Sequence, residues 1–170
     1  MNKTTGTELE ERFRSLLAAN GSALSRLAGS YTRTTSDRDD LFQEIALAIW
    51  KALPTFRGES SERTFIFRVA HNRAITHLTQ RRPSTELEEA AEVHDPRPNP
   101  ERGFTDDEQQ VRLLQAIHRL PIGYRQVITL ALEELSYSEI AEILGITENN
   151  VGVRLNRSRQ LLREMLEVQK

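Results

Sequence analysis

The sequence predicts an all-α protein: two small helical domains joined by an acidic, proline-containing linker, the second domain ending in a helix-turn-helix. Three observations carry this expectation. Apolar residues recur at helical spacing on both sides of the chain's middle, with no strand-like alternation and no internal repeat. The middle itself, "PSTELEEAAEVHDPRPNPERGFTDDE", has prolines at 83, 96, 98 and 100 and few apolar residues, as a linker does. Near the C-terminus, "SYSEIAEILGITENNVGVRLNRSRQLL" carries two short amphipathic patterns broken at one glycine. The division that follows is 1–83, 84–108 and 109–170.

The first domain opens with a helical pattern through Leu9, Phe13, Leu16 and Leu17 and a second through Leu24, Leu27 and Tyr31, with Gly21 and Ser22 expected to break or kink it between them. In "TTSDRDDLFQEIALAIWKAL", Ser36 and Asp37 offer capping oxygens, and Leu41, Ile45, Ile49 and Leu53 form the apolar stripe of a helix that Pro54 ends. After the polar loop "FRGESSER", the stretch "TFIFRVAHNRAITHLTQRR" is expected to be a helix. It turns Phe67, Ala70, Ala74 and Leu78 to the core, with Arg68, His71, Asn72, Arg73, His77, Arg81 and Arg82 on its other faces.

In the second domain Leu113, Ile117 and Leu120 stripe one helix, stopped by Pro121, and Val127, Leu130 and Leu132 belong to the next. The final pair is the most explicit. Ser136 and Glu139 have capping-box spacing, and Ile140, Ala141, Ile143 and Leu144 form a helical stripe. Gly145 sits where a left-handed cap is needed, Ile146 plugs the turn, and Thr147 caps a second helix with Glu148 in its first turn. Val151, Leu155 and Leu162 share that helix's inner face. Asn149, Asn150, Val153, Asn156 and Arg157 point outward, with Arg154 and Arg159 flanking them. Asparagine and arginine can each make paired hydrogen bonds to a purine edge in the major groove. The bland alternative is a helical hairpin with a solvated face.

Composition is ordinary for a helical protein: 170 residues, 38% hydrophobic and 28% charged. The absence of cysteine excludes disulfides and thiolate metal sites and fits a reducing cytoplasm. The polar, acidic start lacks an apolar signal core, and no apolar run is long enough to span a membrane, so no membrane insertion is expected. The net charge of −2 argues slightly against nucleic acid until it is divided: residues 1–83 carry +4, 84–108 carry −7 and 109–170 carry +1. The flanks can still meet phosphate. Glycine-rich phosphate loops, zinc-ligand spacing and nucleophile signatures are absent, and His71 and His77 are not spaced to share a helix face. His94 falls in the linker and His118 on a helix. No enzyme activity, metal or cofactor is expected.

The order of these segments resembles the extracytoplasmic-function (ECF) sigma factors, of the sigma-70 family of bacterial RNA polymerase. "DRDDLFQEIALAIW" and "TFIFRVAHN" are similar to that family's second region, and "LPIGYRQVITLALEELSYSEIAEILGITENNVGVRLNRSRQLLREML" to its fourth. The resemblance covers nearly the whole chain. It implies a factor that binds core RNA polymerase and directs promoter recognition, DNA melting and initiation. Asp40, Leu41, Gln43 and Glu44 match the polymerase-docking helix. The loop from Phe56 to Arg63, with Arg57, and the helix bearing Arg68, His71, Asn72, Arg73 and His77 match the element that opens and reads the minus-ten sequence. Asn149, Asn150, Gly152, Val153, Arg154, Asn156, Arg157 and Arg159 fall in the minus-thirty-five reader. An anti-sigma factor or other regulator is the usual further partner.

The sequence departs from the family pattern at Phe65, where tryptophan is common, at Thr76 and Thr79, where aspartate and arginine are usual, and at Gly152, which replaces lysine, arginine or serine. A sigma-like decoy, or a helix-turn-helix regulator that does not initiate transcription, is the alternative. A decoy should lose its DNA-facing residues, and Arg68, Asn72, Asn156 and Arg157 are present.

Overall fold

The computed structural model describes residues 6–81 and 106–168, and every regular element in them is helical. The first half holds α1 (Gly6–Gly29), α2 (Thr35–Ala52), a 3-10 turn (Leu53–Thr55) and α3 (Glu62–Gln80). The second holds α4 (Asp106–Arg119), α5 (Ile122–Leu132), α6 (Tyr137–Leu144) and α7 (Glu148–Glu167). Most of the expected linker, with His94, lies outside the described residues. Its last residues, Asp106, Asp107 and Glu108, are instead the first turn of α4, where carboxylates favour the positive end of the helix dipole.

Three expectations about the first half are corrected. α1 runs unbroken through Gly21 and Ser22. Glycine inside a helix costs about 1 kcal/mol against alanine, and the fully buried Leu24 and Leu27 beyond it, worth roughly 1.5–3 kcal/mol each, outweigh that. The cap of α2 is Thr34, not Ser36 or Asp37: its hydroxyl accepts from the Asp37 amide at 3.1 Å. Asp37 is free to receive Arg81 at 2.8 Å, and this hydrogen bond holds its carboxyl below the usual range. α3 begins earlier than the apolar pattern, with Ser61 as its cap. Pro54 closes α2 as expected, inside the 3-10 turn.

The buried apolar residues form one cluster that runs through both halves. Leu24, Leu27, Leu41, Ile45, Ile49, Leu53, Ile66, Phe67, Ala70 and Ala74 are buried in the first, and Ile117, Leu120, Val127, Leu130, Ile140, Val151 and Leu155 in the second. Leu132 of α5 is 49% exposed: the inner apolar positions of that helix are Val127, Ile128 and Leu130, and it ends before its next inward turn.

The halves meet where α3 packs on α6, and polar groups bridge them as well. Arg26 of α1 donates to both carboxylate oxygens of the buried Glu133, at 2.9 and 2.7 Å. Arg63 donates to the Glu133 carbonyl at 2.6 Å. The Thr64 hydroxyl donates to Glu139 at 3.1 Å, and Arg68 meets Glu142 at 3.2 Å. His118 Nε2 lies 2.8 Å from the Gly29 carbonyl, which can only accept, so that nitrogen carries the proton. The α5–α6 turn that supplies Glu133 is made by Glu134 at φ 61°, a left-handed conformation uncommon outside glycine.

Candidate nucleic-acid and polymerase interfaces

The helix-turn-helix forms as the sequence dictates. The Ser136 hydroxyl accepts from the Glu139 amide at 3.2 Å, and the Glu139 carboxylate accepts from the Ser136 amide at 2.7 Å. That second bond is the first cause of Glu139's lowered pKa. Gly145 takes φ 66°, and Thr147 caps α7 by accepting from the Asn150 amide at 3.2 Å. A cap of this type is worth about 1 kcal/mol, so the turn is held at both ends.

The rotation of α7 follows from what it buries. Val151, Leu155 and Leu162 face the core. Ser158, wholly buried, shares its one hydroxyl proton between the carbonyls of Tyr124 (3.1 Å) and Arg154 (2.7 Å), which ties α7 to α5. The opposite face therefore meets solvent: Asn149, Asn150, Val153, Asn156, Arg157 and Arg159 are exposed, and Gly152 and Arg154 half-buried. Among the described residues neither Arg157 nor Arg159 has an ion-pair partner. A Cβ on Gly152 would lie 3.5 Å from the Tyr137 ring, an ordinary contact, and Arg154 lies against Gly123.

The first half presents a different picture. Phe56 and Phe65 rings stand 4.8 Å apart, with Arg12 over Phe56 and Arg68 over Phe65. The two rings and Arg68 line, with Thr55, Arg57, Glu59 and Ser60, an open pocket of about 240 Å³. Phe65 in the tryptophan position is thus a buried wall of this pocket. Asn72 is exposed on α3. Thr76 and Thr79 return their hydroxyls to the helix carbonyls of Asn72 (3.0 Å) and Thr76 (2.9 Å).

Several site expectations are corrected here. His71 and His77 are buried, 6% and 8% exposed, and do not offer a DNA-facing surface. His71 packs edge-on against Tyr31, and neither of its ring nitrogens has a hydrogen-bond partner among the described residues. Burial pushes its pKa down, so the ring is neutral at pH 7. His77 turns to Glu44 at 3.4 Å. Arg73 also binds Glu44, at 2.8 Å, so a residue expected to touch DNA and one expected to touch polymerase hold each other. Leu41 is wholly buried and belongs to the core, leaving Asp40 and Gln43 as the exposed edge of α2. Beside them an open cleft of about 670 Å³ is lined by Gly21, Ser22, Ser25, Asp39, Phe42 and Gln43. Sequence reasoning missed the groups that join the halves, above all Arg26 and Glu133. They lie 107 residues apart, and no local pattern marks them.

With this geometry in view, the comparisons with known proteins agree. Residues 16–83 match the family model "Sigma-70 region 2", and residues 110–162 match "Sigma-70, region 4". The chain is 34% identical over 156 residues to the ECF RNA polymerase sigma-E factor of Haemophilus influenzae, covering 84% of this chain and 82% of that protein. It is 29% identical over 168 residues to the RNA polymerase sigma factor CnrH of Cupriavidus metallidurans, covering 93% and 88%. Among solved structures it resembles CnrH in complex with the cytosolic domain of CnrY, with a TM-score of 0.71 and 26% identity over 95% of this chain and 91% of that one. It shares its fold with RpoE in complex with the anti-sigma factor NepR from Bartonella quintana, with a TM-score of 0.72 and 21% identity over 94% and 99%. The two family models and the sigma-E relative place the chain among the sigma factors, which act in transcription initiation. The chain belongs to the ECF group of the sigma-70 family.

Proposed function

We propose that the exposed face of α7 reads the minus-thirty-five element, that the Phe56–Phe65 pocket and the cations of α3 hold melted minus-ten DNA, and that the Asp40–Gln43 edge of α2 docks on core RNA polymerase. The observation that carries this reading is the exposed row Asn149, Asn150, Asn156 and Arg157, with Val153 as its apolar member, on the second helix of a capped helix-turn-helix. Amides and guanidinium groups on a helix that fits the major groove can each recognise a purine edge, worth about 1–3 kcal/mol of discrimination per paired contact.

In the described arrangement Arg63 and Arg68 are occupied by Glu133 and Glu142 of the second half. They can grip phosphate only after the halves part, so the closed form is the resting one and the polymerase-bound form is open. Relatives solved with CnrY and NepR support a protein regulator for this chain as well. Among the described residues no helix is long and apolar enough to cross a membrane, and a polymerase partner sets the site of action in the cytoplasm.

The test is transcription in vitro with purified core polymerase on genomic DNA, with start sites mapped. Specific starts that require this chain, and that vanish when Asp40 and Gln43 are both changed to lysine, are the expected result. Starts that do not depend on the chain would overturn the reading, and unchanged starts with the double variant would overturn the docking edge.

A further inference from the structure

Val153 is the apolar member of a polar row. It is 52% exposed at the centre of the outward face of α7, one helical turn from Asn149 and Asn150 on one side and from Asn156 and Arg157 on the other. A lone exposed valine needs no explanation on an ordinary surface. Its setting here is not ordinary: the row around it is amide and guanidinium, and its neighbour Gly152 has no side chain, with the Tyr137 ring at ordinary contact distance from where a Cβ would stand. Two short residues in succession make the face shallow at this point, between the longer amides and guanidinium one turn away. Valine's methyls reach little beyond the helix backbone, so they contact a base only where the helix comes close to the groove floor.

Resting on the reading of α7 as the upstream-element helix, we infer that Val153 recognises the 5-methyl group of one thymine in that element. In the major groove thymine alone among the four bases presents a methyl group. A valine against any other base edge leaves donors or acceptors unpaired or gains no apolar contact. The neighbouring amides and Arg157 then read the flanking bases, and Val153 fixes the pyrimidine between them.

The experiment uses the full chain with core polymerase on promoters whose upstream element has first been selected from a randomised library. Scrambling the whole selected element must lower promoter binding; if it does not, the reading of α7 fails, and the inference with it. Each thymine of the element is then replaced by uracil, which removes only the methyl. At one position the wild-type chain is expected to lose about fourfold in promoter affinity, the effect of one buried methyl. Val153→Ser is expected to bind the thymine and uracil promoters equally, and Val153→Thr, which keeps one methyl, to fall between. Uracil tolerated at every position, a uracil penalty undiminished in Val153→Ser, or a selected element without thymine would each overturn the inference while leaving the α7 reading intact.

Discussion

α3 and α7 both carry arginines along an outer face, and the two faces are treated differently. On α3, Arg63 donates to the Glu133 carbonyl, Arg68 meets Glu142, and Arg73 meets Glu44. On α7, Arg157 and Arg159 have no ion-pair partner among the described residues. One helix has its cations engaged within the chain, and the other leaves them exposed to solvent. The difference follows from packing: α3 lies between α2 and α6, whereas α7 buries one face against α4, α5 and α6 and leaves the other in water. Under the proposed function the covered face of α3 needs a conformational step before it can meet DNA, and the open face of α7 does not.

The largest effect that sharpens this contrast is at Arg157. Arg157→Ala is expected to cost about 1–3 kcal/mol at one base pair and relax preference there. Arg159→Ala should weaken binding to all sequences alike and reduce the salt slope by about 1. A promoter-variant library transcribed by each mutant holoenzyme separates the two; uniform loss in Arg157→Ala would make that residue a phosphate contact.

Next in size is the joint between the halves. Glu133→Ala removes the carboxylate that receives Arg26 and should weaken closure by about 1 kcal/mol, a figure held down because Arg26 is 62% exposed to solvent. Small-angle scattering of the free chain should record a more extended particle. Upstream base preferences should not change, since α7 takes no part in that joint.

Gly152→Ala tests whether glycine on α7 is a matter of stability or of access. The added Cβ meets Tyr137 at an ordinary contact distance, so thermal unfolding should register up to about 1 kcal/mol of added stability. A fall in stability would mean that Tyr137 cannot accommodate it.

Acid should have the smallest effect. Burial depresses the pKa of both His71 and His118, the latter also raised somewhat by its bond to Gly29 and lowered by Arg125 and Arg33. Each binds its proton more readily in the unfolded chain, where histidine titrates near about 6.5. Their contribution is therefore fully present above about pH 6.5 and is lost as pH falls toward the depressed folded values. Urea unfolding across that range should show stability declining on the acid side, and less steeply in His71→Phe.

How much of this is legible in the sequence divides along the same line as the two helices. α7 is readable to the residue because its signals are local: a capping box, a glycine at positive φ, a threonine cap and an apolar stripe fix its start and its rotation. On α3 the apolar pattern misses the start by two residues and puts His71 and His77 on the wrong face. Histidine is compatible with either surface or core, and only the neighbours Tyr31 and Glu44, far away in sequence, decide. Resemblance assigns Leu41 to polymerase, although its own apolar spacing already places it in the core. The Arg26–Glu133 joint carries no signal at all, because nothing in a single sequence pairs charges across such a separation.

The most direct test of the account measures whether the covered helix is uncovered when the factor acts. The chain has no cysteine, so Lys51→Cys and Arg163→Cys, both at exposed positions in opposite halves, can be labelled with a fluorophore pair without side reactions. Energy transfer should be high and uniform in the free chain and should fall when core polymerase is added, in a complex that still initiates transcription. Transfer that stays high in a transcribing complex would contradict the account, because Arg63 and Arg68 would then remain bound to the second half while the promoter is open.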